Sequence, residues 1–307
     1  MGNVYVAGSI NQDIAVRLER RPQPGETVPG ESASFGLGGK GANQAIAAAR
    51  SGAAVELIGA VGDDRFGEEL LADLDTEDGL STAGVHRASN TSTGVALITV
   101  DADSENAIVA VPGANAALAP ADVGDVGMED DAVVLSQFEI PQPTIRTFFE
   151  QAHAQGARTV LNPAPAETVR EDLLERVDFL VVNETEALFY ADGDSKGQLS
   201  QDELVETAAA LRTHDEQVVV VTLGEAGVFA STPSETIELD AYAVDPVDTT
   251  GAGDAFVGAF ATALGDGLRL RDALDVGAAA GALATTQTGA APSLPTRAAI
   301  EDLRADE

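Results

Sequence analysis

The sequence predicts a doubly wound α/β sandwich, on three observations. Short β-branched apolar runs alternate with helical patterns from one end of the chain to the other. The runs are apolar at nearly every position, as strands buried on both faces of a parallel sheet must be. Two stretches of turns and alternating strands break the rhythm, which predicts a second, small β-sheet beside the main body.

The first expected strand is Val4-Tyr5-Val6-Ala7-Gly8; it begins almost at Met1, so no secretory leader is expected. Asp13–Leu37 reads as strand and turn without a helix, punctuated by Pro22, Pro24, Gly25, Pro29 and Gly30. A helix over Gly41–Ser51, a strand over Val55–Val61 and a helix over Phe66–Asp75 follow. Ser92–Val111 reads as two alternating strands around a turn at Asp101-Ala102-Asp103-Ser104. Strands over Ala132–Gln137, Thr159–Asn162, Phe179–Asn183 and Gln217–Leu223 then alternate with helices over Thr144–Gln155 and Asp202–Arg212. An apolar helix is expected over Ala255–Leu264. There is no internal repeat and no long linker. One domain, residues 1–307, is therefore expected, with the small sheet formed by insertions at about 13–38 and 92–112.

Composition narrows the function. With 44% hydrophobic residues and a mean hydropathy of +0.03, the chain can bury a substantial core. Its net charge of −34 repels phosphate backbones, so neither nucleic acid nor an anionic membrane is expected as a large partner. The carboxylates are spread along the whole chain, and Lys40 and Lys196 are its only lysines. That pattern predicts a halophilic protein, whose acidic surface is tolerated because concentrated salt screens it over a few ångströms. The absence of cysteine excludes disulfides, thiolate catalysis and Cys-based zinc sites, and His86, His153 and His214 are scattered. The longest uncharged stretch, Val276 to Thr296, contains Pro292 and Pro295 and is too weakly apolar to span a bilayer. A soluble cytoplasmic protein is expected.

The sharpest motif is Asp248-Thr249-Thr250-Gly251-Ala252-Gly253-Asp254-Ala255-Phe256. Small residues at 251–253 let a ligand approach the backbone, and the helix that follows presents unpaired amides and its dipole to an anion. Asp254 could simply cap that helix. It could also be the base for phosphoryl transfer, with the Gly251–Gly253 amides stabilising the transferring group. Spacing alone leaves both readings open.

Gly36-Leu37-Gly38-Gly39-Lys40-Gly41-Ala42-Asn43-Gln44 matches G-x-G-x-x-G at Gly36, Gly38 and Gly41. The preceding Ser32-Ala33-Ser34-Phe35 is a poor buried strand, however, and the first strand ends at Gly8 without the repeat. It is not a Walker A loop either, since Ser34 stands where the first glycine belongs and Gly41 follows Lys40. The segment is a glycine-rich bend entering a helix, or a polar pocket in which Lys40 and Asn43 donate to substrate oxygens. Asn11 and Asp13 follow the first strand, where α/β sheets place ligands, though Asn-x-Asp is also a common turn. Asn183 with Glu186 fits a capping box, Glu139 an exposed loop carboxylate, and Thr222–Gly227 a hairpin start whose backbone could meet a nucleotide. Polar or glycine-rich groups thus recur at successive strand ends, where one crevice would collect them.

These segments resemble the PfkB family of carbohydrate kinases, in its ribokinase form, over essentially the whole chain. The resemblance is carried by Gly8–Asp13, Pro24-Gly25-Glu26-Thr27, Gly38–Ala45, Asn162-Pro163-Ala164-Pro165, Asn183–Glu186 and Asp248–Asp254, in the family's order. The stretch Gly39-Lys40-Gly41-Ala42-Asn43 is the part most specific for a pentose. The resemblance implies a ribokinase-like α/β/α sandwich with a small β-sheet lid, and ATP-dependent phosphorylation of D-ribose at its 5-hydroxyl with Asp254 as base. It implies that Asn11, Asp13, Gly39, Lys40, Asn43 and Glu139 hold the sugar. Asn183, Glu186, Thr222, Gly224, Gly227, Gly251, Ala252 and Gly253 would face the nucleotide and its Mg²⁺. Asp248, Thr250, Ala284, Gln287, Gly289 and Ser293 correspond to a K⁺ site, and the lid implies a homodimer. One position departs from the pattern: Ala278 stands where a His or Asn often lies near the adenine, which leaves strict preference for ATP open. Kinases of 2-deoxyribose or nucleosides, and a non-catalytic sugar-binding regulator, are the alternatives.

Overall fold

The computed structural model describes residues 2–102, 106–191 and 199–306. Its strands are β1 (Asn3–Ala7), β2 (Asn11–Leu18), β3 (Gly30–Gly38), β4 (Ala54–Gly62), β5 (Leu80–Ala88), β6 (Gly94–Val100) and β7 (Asn106–Val111). They continue as β8 (Val133–Gln137), β9 (Arg158–Asn162), β10 (Phe179–Asn183), β11 (Val218–Thr222), β12 (Val228–Ser231) and β13 (Thr236–Leu239). A nine-stranded sheet runs in the order β13-β12-β11-β10-β9-β8-β1-β4-β5, parallel from β11 to β5 with β12 antiparallel.

The pleat explains why both faces are apolar. Along β1, Val4 and Val6 enter one core while Tyr5 and Ala7 enter the other; along β11, Val218 and Val220 face one side and Val219 and Val221 the opposite side. The first core lies under helices Lys40–Arg50, Ala252–Gly265 and Leu270–Ala284, where Phe256 stacks on Phe260 at 5.9 Å. The second lies under helices Gln142–Ala154 and Gln201–Leu211, around Phe148 and Phe149. This is the doubly wound sandwich expected.

The chain builds outward from β1 to β5, then returns to the other flank of β1 and builds outward again from β8. The reversal between β1 and β8 opens a crevice beyond their carboxyl ends, the usual ligand position in such sheets. Beside it stands a four-stranded sheet, β3-β2-β6-β7. Its register rows alternate in character. Phe35, Ile14, Leu97 and Val109 line up across one face, with Phe35 66% and Val109 61% exposed, while Asn11 and Asp13 project from the opposite face.

The structure differs from expectation in three places. Asn11 and Asp13 lie within strand β2, not in a turn. Gly36 and Gly38 belong to β3 of the small sheet rather than to a turn after β1, so the G-x-G-x-x-G match is not a dinucleotide loop. Strand β5 had no sequence signal, because it is a half-exposed edge strand in which Leu80 and Val85 alternate irregularly with Ser81, Thr82, His86 and Arg87. Of the turn expected at Asp101–Ser104, Asp103 and Ser104 lie outside the described residues, as does Lys196. Among the described residues no helix is long and apolar enough to cross a membrane.

Candidate active site

The site begins where β1 ends. The chain leaves the sheet through Gly8 and Ser9, and the helix Lys40–Arg50 starts directly against that exit. A Cβ on Gly41 would fall 2.5 Å from the Gly8 Cα and closer still to the Ser9 amide, so only glycine lets the two backbones pass. This crossing puts Lys40, Asn43 and Gln44 over the carboxyl ends of β1 and β8. Helix Ala252–Gly265 packs on the same helix through Gly258, where a Cβ would lie 2.6 Å from the Gln44 carbonyl. Asp254, one turn earlier, is thereby turned toward Asn43 and Gln44.

Asp254 is 7% exposed. Its Oδ1 accepts from Gln44 Nε2 at 2.9 Å and its Oδ2 from Asn43 Nδ2 at 3.1 Å, while Lys40 Nζ lies 3.9 Å away. Helix Ala252–Gly265 carries no side-chain cap; it starts after Gly251 in the left-handed region (φ 82°). The carboxylate is therefore held by the neighbouring helix and does not cap its own.

Glu139, just past β8, is part of the same cluster and not a free loop carboxylate. Its Oε2 accepts from Ser9 Oγ at 2.5 Å, from the Lys40 amide at 3.1 Å and from Asn11 Nδ2 at 3.3 Å. Asn115 clamps both backbone groups of Ile10 and donates to Asn11 Oδ1 at 2.7 Å, which fixes the Asn11 amide. Gly39 closes the rim, its Cβ position 2.8 Å from the Ser9 carbonyl. Asp13 is wedged against Gly38, whose missing side chain leaves room for the carboxyl group.

Charges converge here. Burial first, then Glu139 and Asp254, push Asp13 up to about 7. The opposite charge of Asp254, acting against burial and helped by Glu139 and Glu186, holds the Lys40 ammonium above its usual range. For Asp13 the sign follows by linkage. Its folded pKa is raised, so native stability falls as pH rises from the unfolded value of 3.8 through about 7. Asp13→Asn is expected to melt higher than the parent at pH 8, by up to about 4 kcal/mol in stability, with no gain at pH 4. Melting curves at both pH values check this, and an equal difference at the two would refute it.

The second half of the site is built on the loop before helix Ala252–Gly265. Asp248 Oδ1 accepts from the Thr250 amide (2.9 Å) and hydroxyl (2.6 Å), and Oδ2 from the Gly289 amide (2.9 Å). Burial opposes ionisation, but these bonds together hold Asp248 below the ordinary carboxylate range. The Thr285 carbonyl takes the amides of Val247 and Asp248, Gln287 turns back on the Ala284 carbonyl at 3.4 Å, and Ser293 donates to the Ala290 carbonyl at 2.8 Å. One carboxylate among backbone and hydroxyl oxygens is a hard-oxygen donor set, which suits an alkali cation better than a transition metal. Among the described residues, no three His, Cys, Asp or Glu side chains gather as a metal cluster.

Next to this loop lies a cavity of about 650 Å³, the size of a small-ligand site. Val244, Pro246, Phe256, Ala278 and Ala282 wall it, and Thr222, Gly224 and Gly227 border it. Ala252 and Gly253 also line it, and a Cβ on Gly253 would meet nothing within 4 Å. Asn183 and Glu186 stand apart from this lining as a capping box, with Glu186 N to Asn183 Oδ1 at 2.8 Å and Asn183 N to Glu186 Oε2 at 2.9 Å. Burial raises the Glu186 carboxyl despite the Asn183 bond and the Lys40 charge.

The structure thus joins Asn11, Asp13, Gly39, Lys40, Asn43, Glu139 and Asp254 in one cluster, and Asp248, Thr250 and Gly289 in a second. Sequence reasoning gave no role to Ser9, Gln44, Asn115, Gln137 or Asn162. Their signal was faint: uncharged polar residues in otherwise apolar frames, such as Gln44 in an alanine-rich helix and Gln137 closing β8.

Comparison with known proteins finds relatives of the chain over nearly its whole length. The pfkB family carbohydrate kinase profile matches residues 1–297. The chain is 37% identical over 296 residues to a ribokinase of Haemophilus influenzae, covering 95% of each chain. It is 35% identical over 265 residues to a deoxyribokinase of Salmonella typhimurium, covering 84% of each. Its fold matches that of Arabidopsis thaliana ribokinase complexed with ribose and ATP, with a TM-score of 0.88 and 30% identity over 98% of both chains.

Proposed function

This chain belongs to the pfkB family of carbohydrate kinases, and from that premise we propose its reaction: transfer of the γ-phosphoryl group of ATP to the 5-hydroxyl of D-ribose. A buried carboxylate with amide donors on both oxygens, beside an uncapped helix N-terminus that opens into a 650 Å³ cavity, is the observation that carries it. Asn11, Asp13, Gly39, Lys40, Asn43 and Glu139 hold the sugar hydroxyls, so that positioning supplies much of the acceleration. Asp254 accepts the hydroxyl proton late in the transfer, while the 251–253 backbone meets the charge on the phosphoryl oxygens.

Asn183 and Glu186 are the residues we assign to the metal–phosphate side. The Glu186 carboxylate would offer an oxygen ligand to Mg²⁺, which would neutralise phosphate charge there. Asp248, Thr250 and Ser293 with the backbone of Ala284, Gln287 and Gly289 would hold K⁺, shaping the anion hole without touching substrate. The small sheet, residues of about 13–38 and 92–112, would act as a lid that excludes water. Its apolar row of Phe35, Leu97 and Val109 supports a homodimer formed lid against lid. The charge of −34 supports work in a concentrated-salt cytoplasm.

ADP release measured with ribose, 2-deoxyribose and nucleosides, at high KCl and at matched NaCl, tests this reading. Ribose is expected to exceed 2-deoxyribose in kcat/KM by at least about 10-fold, because pocket groups left unpaired penalise the missing hydroxyl. Deoxyribose turnover equal to or above that of ribose reassigns the substrate, and no ADP release with any sugar leaves a binding protein. In the same assay GTP is expected to support turnover within about 10-fold of ATP. The cavity presents Ala278 to the base, and its Tyr242 and Thr285 hydroxyls are already bonded to Asp275 and Ala282.

A further inference from the structure

We infer that Gln44 is a positioning residue for the transfer: it aims the Asp254 carboxylate, and is itself held by a buried chain of amides anchored in the main chain of β10. The inference rests on Asp254 being the proton acceptor.

The chain of bonds has only one consistent polarity. Asn162 Nδ2 lies 2.9 Å from the Val181 carbonyl, which can only accept, so the amide nitrogen of Asn162 must face it. Asn162 Oδ1 therefore points away, and the Gln44 atom 3.1 Å from it must be a donor. That same Gln44 Nε2 lies 2.9 Å from Asp254 Oδ1, so its two hydrogens serve Asn162 and Asp254. Gln44 Oε1 then receives Gln137 Nε2 at 2.6 Å. Gln137 and Asn162 are register partners at the ends of β8 and β9, so the relay spans three adjacent strand ends.

Nothing in it can rotate. Gln44 and Gln137 are fully buried, and Gln137 Oε1 packs into the space left by Gly8 without any donor. An amide flip at Gln44 would set its oxygen against Asp254 Oδ1 and Asn162 Oδ1 at once. Leaving Gln137 Oε1 unpaired costs stability, so the relay is not explained by packing alone. It presents Asp254 with an N–H that can never become an acceptor. It fixes the carboxylate plane beside two other carboxyl groups of the same cluster, Asp13 and Glu139.

Gln44→Met, nearly isosteric, tests this beside Gln137→Met and Asp254→Asn. Gln44→Met is expected to lower kcat about 10–100-fold, the range for one hydrogen bond to a charged group, with sugar and ATP KM within about threefold. The acid limb of kcat/KM against pH should move upward, because a carboxylate stripped of an N–H donor holds its proton more readily. Gln137→Met should give a smaller fall of the same kind. Adding Gln44→Met to Asp254→Asn should cost nothing further, because both act through one group. Wild-type kcat and pH profile in a folded Gln44→Met protein overturn the inference, as does a full additional loss in the double variant. If Gln44→Met is unfolded at the assay temperature, Gln137→Met decides: an unchanged kcat and pH profile there overturns the inference. Near-normal turnover in Asp254→Asn sinks the proton-acceptor reading instead, so the two failures are distinct.

Discussion

Asp254→Asn is expected to lower kcat by about 10²–10⁴-fold, the usual range for losing a general base, with the sugar KM little changed. The surroundings explain why so conservative a change should be severe. Both carboxylate oxygens accept from side-chain N–H groups, Gln44 on one and Asn43 on the other. Asparagine offers a single acceptor, so its own nitrogen must face one of those donors. Lys40 also loses the opposite charge 3.9 Å from its ammonium. Burst and steady-state assays under saturating sugar and ATP would check the prediction. Turnover within a few-fold of the parent would remove Asp254 from the chemistry and leave it as a structural anchor for Lys40.

The second large effect is expected from a residue with no side chain. Gly41→Ala places a methyl group 2.5 Å from the Gly8 Cα, with the Ser9 backbone closer still, and main chain cannot give way as a flexible side chain can. Helix Lys40–Arg50 must shift outward, and Lys40, Asn43 and Gln44 ride on its first turn. A displacement near 1 Å is enough to cost about 100-fold in rate, and the forced overpacking should cost about 1–3 kcal/mol. Gly36→Ala is the control: a Cβ there meets nothing within 4 Å, so its rate and melting temperature should match the parent. Equal behaviour of the two alanine variants would show that the crossing has slack.

Much of this is legible in the amino-acid sequence alone. Runs such as Gln217–Leu223 and Phe179–Asn183 are apolar on both faces, and only a covered parallel strand satisfies that pattern, so the central sheet followed directly. The Asp248–Asp254 segment stood out equally, because small residues before a helix let a ligand reach its free amides. What could not be read was whatever depends on distant partners. Strand β5 gains its place from its neighbour β4 and carries no pattern of its own. What rules out a cap at Asp254 is its bonding to Asn43 and Gln44, more than two hundred positions away. The neutral-range Asp13 needed burial in the folded site first, and then Glu139 and Asp254 near it, and no local window shows any of these. Ala278 was recognisable as a departure, but only the cavity wall gave it a neighbourhood.

Strand β2 sends Asp13 toward the crevice and Ile14 to the outer surface, with Gly36 and Phe35 as their register partners on β3. Side chains alternate with a period of two, so inserting or deleting a single residue inside this strand would exchange the roles of its two sides, turning an oily group inward and an acid outward. Evolutionary drift in length along this stretch is therefore confined to the connecting segment, residues 19–29, or to even steps. Among relatives, indels should be common in that segment and nearly absent between Asn11 and Leu18.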